Sequence, residues 1–214
     1  MDTKALRNLS YGVYVTTSLD GTKPVGCITN SVMQITSQNA SIAVSVNHDN
    51  YTNQCIKECK KFAVSILPEK TDANIIGTFG FKTSREINKF ENIQYHIEND
   101  LPILDHNCGF IVCEVIDTME TDTHTVFLGK VITTGNYQSE TPMTYQYYHE
   151  VLKGTSPKLA PTYVEEKVEE TPKKVKKWKC KICGYVYEGD RVPEDYICPI
   201  CGQPHTAFEL IEDK

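Results

Sequence analysis

Between Tyr11 and Thr133 the chain repeats short runs of Val, Ile, Thr and aromatic residues, broken by Gly, Asn and Asp. The runs are Tyr11 to Thr17, Val25 to Thr29, Ser41 to Val46, Phe62 to Leu67, Gly109 to Val115 and Thr125 to Thr133. Branched and aromatic side chains in stretches of this length predict strands, and the punctuating residues predict turns. Two segments depart from that rhythm. Thr52 to Lys61 predicts a short helix with Thr52 as its N-cap, and Asp72 to Phe79 predicts another with Asp72 near its start. Many short strands with few helices predict a mainly β domain, a barrel or a sandwich, over residues 1–153.

From 154 to 177 the apolar positions thin out. Pro157, Pro161 and Pro172 interrupt regular structure, and Glu165, Glu166, Glu169 and Glu170 precede Lys173, Lys174, Lys176 and Lys177. Too few apolar side chains remain to build a core, so 154–177 reads as a flexible solvated linker. If flexible, its 24 residues would span roughly 25–30 Å root-mean-square. Residues 178–214 then form a second, very small domain.

A length of 214 residues suits a core domain with an appendix. The net charge of −6 and the lack of a basic patch argue against a nucleic-acid partner. No apolar run approaches the roughly 20 residues of a membrane span, and the first residues carry no basic-then-apolar leader. The expectation is a cytoplasmic protein without a membrane partner. Nine cysteines on their own suggest disulfides, but the number is odd and four lie in two close pairs, so metal binding is the better reading.

Those pairs are Cys180-Lys181-Ile182-Cys183-Gly184 and Cys198-Pro199-Ile200-Cys201-Gly202. A two-residue gap lets both thiolates of a pair reach one ion, and two pairs complete a tetrahedral sulfur site. The following glycine tolerates positive φ, so the chain can curl and aim backbone N–H groups at the sulfurs. The ligand set alone fits zinc as well as iron. Trp178, Tyr185, Tyr187, Tyr196 and Phe208 crowd the segment with aromatics. With Trp178-x-Cys180-x-x-Cys183-Gly184-Tyr185-x-Tyr187, the acidic turn Glu188 to Asp190, Cys198-Pro199-x-Cys201-Gly202 and Phe208-Glu209, it resembles the rubredoxins. The fourteen residues between the knuckles are fewer than in free-standing rubredoxins and are similar to modules fused to larger enzymes. The resemblance implies one iron ion per chain as an Fe(Cys)4 centre held by Cys180, Cys183, Cys198 and Cys201.

The first domain has no Gly-x-Gly-x-x-Gly turn and no P-loop. Its most polar cluster is Thr29-Asn30-Ser31, followed by Gln34-Ile35-Thr36-Ser37. Hydroxyls and amides at a strand end suit a phosphate dianion, and equally a plain polar strand end. The order of segments adds to this. Val25-Gly26-Cys27-Ile28-Thr29-Asn30-Ser31, Ser45-Val46-Asn47, Phe62 to Leu67, Phe79-Gly80-x-x-x-Ser84-Arg85-x-x-x-Lys89-Phe90 and Thr123-His124-x-x-Phe127-x-Gly129-x-Val131 together resemble the flavin reductase-like family. The resemblance spans Leu9 to Gly154 and implies a split β-barrel that binds FMN and forms a homodimer. It assigns Thr29, Asn30 and Ser31 to the FMN phosphate and ribityl chain, with Asn47 and Thr52 flanking them. Ile35 and Thr36 are assigned to the isoalloxazine, Ser84 and Arg85 to the phosphate or the subunit boundary, and His124 to the approach of nicotinamide.

A hydride donor gives two electrons together, whereas an Fe(Cys)4 centre takes one; flavin accepts both modes. The expected path therefore runs from NADH or NADPH through FMN to iron. The architecture as a whole resembles the high-molecular-weight rubredoxins of anaerobic bacteria, which implies a flavo-diiron protein reducing O₂ or NO as the redox partner. Two alternatives stand beside this reading: a flavin reductase that releases reduced flavin, and a non-enzymatic zinc-ribbon interaction protein.

Overall fold

A computed structural model describes residues 3–137, 140–154, 160–162 and 176–211. Most of the predicted linker, 155–159 and 163–175, lies outside the described residues. The chain divides into two compact units, Met1–Val164 and Glu165–Lys214.

In the first unit the strands are β1 (Tyr14–Asp20), β2 (Lys23–Thr29), β3 (Val32–Thr36), β4 (Ser41–Asn47), β5 (Lys61–Ile66), β6 (Tyr95–Glu98), β7 (Leu101–Leu104), β8 (Gly109–Glu120) and β9 (His124–Asn136). Helix α1 covers Tyr51–Cys59, α2 Ala73–Phe81 and α3 Tyr145–Glu150. Seven strands form one antiparallel sheet in the order β2-β1-β5-β8-β9-β4-β3. Strands β6 and β7 make a separate hairpin. Its turn residues Asn99 and Asp100 have φ of +47° and +69°, the left-handed region that short polar side chains tolerate best.

The N-cap of helix α1 lies two residues earlier than its sequence suggests. The N-cap is Asn50, whose Oδ1 accepts from the Thr52 backbone N–H at 3.1 Å, so Thr52 sits inside the first turn. Asn50 wins because it holds the extended backbone of a cap and its short amide reaches back to that donor. The helix stops at Lys60, which turns left-handed at φ +59° and hands the chain to β5. In α2, Asp72 is the N-cap and accepts from Asn74 N–H at 2.8 Å.

The barrel interior is filled by Val44, Phe62, Val64, Cys113 and Phe127, with Ile56 of α1. A second cluster joins Val15, Leu67, Phe79, Phe90, Met143 and Tyr148, and seats α2 and α3. Asn53 fixes α1 to β4 by donating to the Val46 carbonyl at 2.9 Å. These anchors place the N-terminus of α1 and the end of α2 beside the ends of β2 and β4.

The second unit contains β10 (Lys177–Cys180), β11 (Val186–Glu188) and β12 (Phe208–Leu210), in the order β11-β10-β12. Cys180, Val192, Cys198 and Phe208 are its buried hydrophobic residues, ringed by Trp178, Tyr185, Tyr187 and Tyr196. Tyr196 meets Phe208 edge-on at 5.6 Å, and Trp178 Nε1 donates to the Gly189 carbonyl at 3.1 Å. A core this small leaves a bound metal much of the folding work.

Candidate functional site

The two Cys-x-x-Cys-Gly segments fold as matched knuckles. In each, the glycine adopts positive φ (+78° at Gly184, +69° at Gly202) and returns its N–H to the carbonyl of the first cysteine at 2.9 Å. The first cysteine's own N–H is also spent alike, Cys180 on the Tyr185 carbonyl and Cys198 on that of Gln203, both at 2.8 Å. This curl turns the remaining amides toward sulfur. Cys180 is held below the usual thiol range by the Cys183 N–H, against burial, with the Ile182 N–H adding to it. Burial works to raise Cys198, but the Cys201 and Ile200 amides bring it down to about 7.

The four sulfurs converge. Cys180 Sγ lies 3.7 Å from Cys201 Sγ, Cys183 Sγ lies 3.5 Å from Cys198 Sγ, and all four fall within 4.8 Å of one another. A tetrahedral ion with metal–sulfur bonds of about 2.3 Å requires sulfur–sulfur edges of about 3.8 Å, so the donor set fits one. Four thiolates so close cannot all ionise without a cation. Two are therefore favoured as anions, while against the backbone N–H groups of Tyr185 and Gln203, burial and then neighbouring sulfurs push Cys183 up and Cys201 up to about 12. A divalent or trivalent ion removes that conflict.

In the first unit, a cavity of about 380 Å³ opens between the ends of β2 and β4, the N-terminus of α1, the end of α2 and helix α3. Its lining includes polar Thr29, Asn30, Asn47, Asn50 and Thr83. It also includes apolar and aromatic Ile28, Val46, Phe79, Ile87, Tyr145 and Tyr148. Asn30, only 3% exposed, donates Nδ2 to Thr162 Oγ1 at 2.7 Å and accepts from Ser31 Oγ at 3.0 Å. Thr162 Oγ1 in turn donates to the Tyr145 hydroxyl at 2.9 Å. A lining that mixes hydroxyls and amides with aromatic and aliphatic surface fits a flavin nucleotide, whose phosphate and ring need those two kinds of neighbour.

Of the residues assigned from sequence, Thr29, Asn30 and Asn47 line this cavity. Ser31 touches it through Asn30. Thr52 is buried in the first turn of α1, and its side chain lies within hydrogen-bond reach of the Cys27 thiol. His124 is half-buried at the start of β9, in register with Asn47, and its Nδ1 meets Thr123 Oγ1 at 2.8 Å. Ile35 and Thr36 lie exposed on β3 around a bulge, outside the cavity lining, with Thr36 Oγ1 2.8 Å from Ser41 Oγ. Ser84 is buried 3.5 Å from the Gly26 backbone. Arg85 reaches away to Gln54 at 2.9 Å and stacks its guanidinium 4.8 Å over the Tyr51 ring. Their neighbours Thr83 and Glu86 line the cavity instead. Sequence reasoning passed over Cys27, Phe79, Tyr145 and Tyr148; the tyrosine-rich run after Thr144 was the available signal.

Residues 6–155 match the family described as flavin reductase like domain. The chain belongs to the flavin reductase-like family. The seven-stranded sheet is thus that family's barrel, and the cavity lies in a flavin-binding fold. Residues 178–209 match the rubrerythrin, rubredoxin-like domain, so this flavin reductase-like chain ends in a rubredoxin-like domain with four cysteines for iron. The high molecular weight rubredoxin of Moorella thermoacetica is 40% identical, over 99% of this chain and 100% of that protein. A ferric-chelate reductase (NAD(P)H) of Archaeoglobus fulgidus is 35% identical, over 78% of this chain and all of its own length. Among solved structures, the NADH:FAD oxidoreductase of Streptomyces globisporus C-1027 superposes with a TM-score of 0.61 at 22% identity, covering 67% of this chain and 88% of the other. Together these matches make the protein a flavin reductase-like oxidoreductase fused to an electron-transferring rubredoxin-like domain.

Proposed function

We propose that the protein is an NAD(P)H-dependent oxidoreductase that passes electrons through FMN to a single Fe(Cys)4 centre and on to an acceptor protein, a flavo-diiron reductase of O₂ or NO. The observation that carries this reading is the pairing, on one chain, of the 380 Å³ polar-and-aromatic cavity with four converging thiols. The cavity lies at the small end of cofactor sites, which favours the mononucleotide over FAD. Bound flavin supplies the change from two-electron to one-electron transfer.

The chain's own residues do the rest. Thr29, Asn30 and Ser31 bind the phosphate and ribityl groups, and Asn47 and Thr52 border them. Phe79, Tyr145 and Tyr148 keep water from the apolar side. His124, beside Asn47 across the β4–β9 ladder, orients the nicotinamide. Cys180, Cys183, Cys198 and Cys201 hold iron, and the knuckle amides spread the thiolate charge and set its potential. Exposed Met33 and Ile35 on β3, with Ile116 and Met119 on the outer half of β8, supply apolar surface for a homodimer. Cysteines that form no disulfide among the described residues suit the reducing cytoplasm. Among the described residues no helix is long and apolar enough to cross a membrane.

Anaerobic stopped-flow with NADH tests the proposal, with flavin and iron absorption followed separately. Protein depleted of FMN is expected to keep its iron yet show no bleaching of the iron bands, and added FMN to restore it. Rapid bleaching of iron in flavin-free protein would defeat the reading, and a colourless, zinc-filled second domain would replace it with the interaction-protein alternative.

A further inference from the structure

Lys89, in the segment between α2 and β6, is only 4% exposed. Its Nζ donates to the Gly26 carbonyl on β2 at 2.9 Å and to the Phe79 carbonyl in the last turn of α2 at 3.2 Å. It also lies 5.7 Å from the centre of the Phe79 ring. Among the described residues no carboxylate forms an ion pair with it. Burial pulls the ammonium below the ordinary lysine range, and the one titrating group that opposes this is the thiol of Cys27. That thiol is itself buried and pushed up, against the pull of Lys89.

A buried cation costs heavily unless its charge is matched. Two carbonyl dipoles solvate Lys89 but leave its charge uncompensated. Cys27, the residue after Gly26, and Phe79 both line the cavity. An unmatched positive charge therefore stands directly behind the wall that β2 and α2 share. An anion bound in the cavity would supply the complement.

The phosphate is a poor candidate for that complement. Gly26 precedes Asn30 by four residues, on the order of 13 Å along an extended strand, and both carbonyl bonds hold Nζ away from a direct phosphate contact. The phosphate's charge is also the same in both oxidation states. The ring is different: two electrons and one proton, the hydride that nicotinamide gives up, convert neutral oxidised flavin into an anion.

Building on the flavin reading above, we propose that Lys89 is an electrostatic positioning residue whose charge, held behind the Cys27–Phe79 wall, favours the reduced anionic flavin ring over the neutral oxidised one. It thereby sets how strongly this cavity draws hydride equivalents, without touching the substrate. Its two hydrogen bonds also tie β2 to α2, so the test must separate charge from tethering.

Lys89→Gln keeps an amide donor for the two carbonyls and removes the charge; Lys89→Arg keeps the charge. Redox titration of the full chain loaded with FMN should show the flavin midpoint falling in Lys89→Gln by about 30 mV, a tenfold loss of preference for the two-electron-reduced form. The iron midpoint in the same titration should not move, and Lys89→Arg should stay at the wild-type flavin value. A Gln variant that binds FMN with an unchanged midpoint overturns the proposal, as does an Arg variant that falls as far as Gln. Should Lys89→Gln not fold, the wild type decides with riboflavin, which lacks the phosphate. Reduced riboflavin must bind more tightly than oxidised riboflavin, and equal or weaker binding of the reduced form overturns the assignment. Failure of the wild type to bind any flavin in either state rejects the flavin reading itself along with it.

Discussion

Asn30 shows how much one side chain can organise. Its amide group accepts from Ser31 and donates to Thr162, which donates onward to Tyr145. A phosphate placed there would take over donors already arrayed at the end of β2. Replacing Asn30 and Ser31 together by Ala should weaken FMN binding, each hydrogen bond to a charged group contributing about 1.5–3 kcal/mol. Fluorescence titration of the iron-loaded chain should show at least a tenfold rise in Kd; an unchanged Kd would move the phosphate elsewhere. At this scale the sequence is readable where chemistry is unusual. Thr29-Asn30-Ser31 and the four cysteines draw attention because polar or thiol groups cluster at tight spacing. Cys27, Phe79 and Tyr148 do not, because a cavity wall and a packed core use the same residue types. Lys89 hides for the opposite reason: a lysine reads as solvent-facing until the fold closes over it.

Strand β9 carries the clearest case of an element shaped by a neighbour. A Cβ placed on Gly129 would come within 2.6 Å of Phe62 Cζ and 2.7 Å of Cys113 Cβ, so at this position β9 fits against Phe62 and Cys113 only without a side chain. Gly129→Ala should destabilise the first unit by about 1–3 kcal/mol through overpacking. Urea denaturation followed by the near-ultraviolet signal of that unit should show it, while the iron chromophore titrates as in the wild type. The strands with branched residues on buried faces, β1, β2, β4, β5, β8 and β9, are visible from the sequence. Strand β3 is not, because four of its five residues are exposed at a sheet edge and Gln34 and Thr36 break the apolar pattern. Helix α3, six residues of mostly tyrosine, has too few turns for a helical period to register. The β6–β7 hairpin left one signal, the Asn99-Asp100 pair, which suits a two-residue turn.

For the whole molecule, the two-part organisation follows from where apolar residues stop. A stretch without a core separates two regions that each have one, and the contact units Met1–Val164 and Glu165–Lys214 divide within that stretch. Cleavage near Glu166 should leave NADH-driven flavin reduction intact while making iron reduction depend on the concentration of the severed halves, since the local tether is lost. Mixing experiments at several dilutions would check this, and rates independent of dilution would remove the tether's role. The bond from Asn30 to Thr162 sharpens the point. Thr162 is the last residue described before 176, and it is held at the cavity, whose lining also includes Ala160 and Pro161. Under the proposed function, the segment whose cutting tests the tether therefore begins beside the flavin's own cavity, and a cut there should be checked for its effect on FMN affinity as well as on iron reduction.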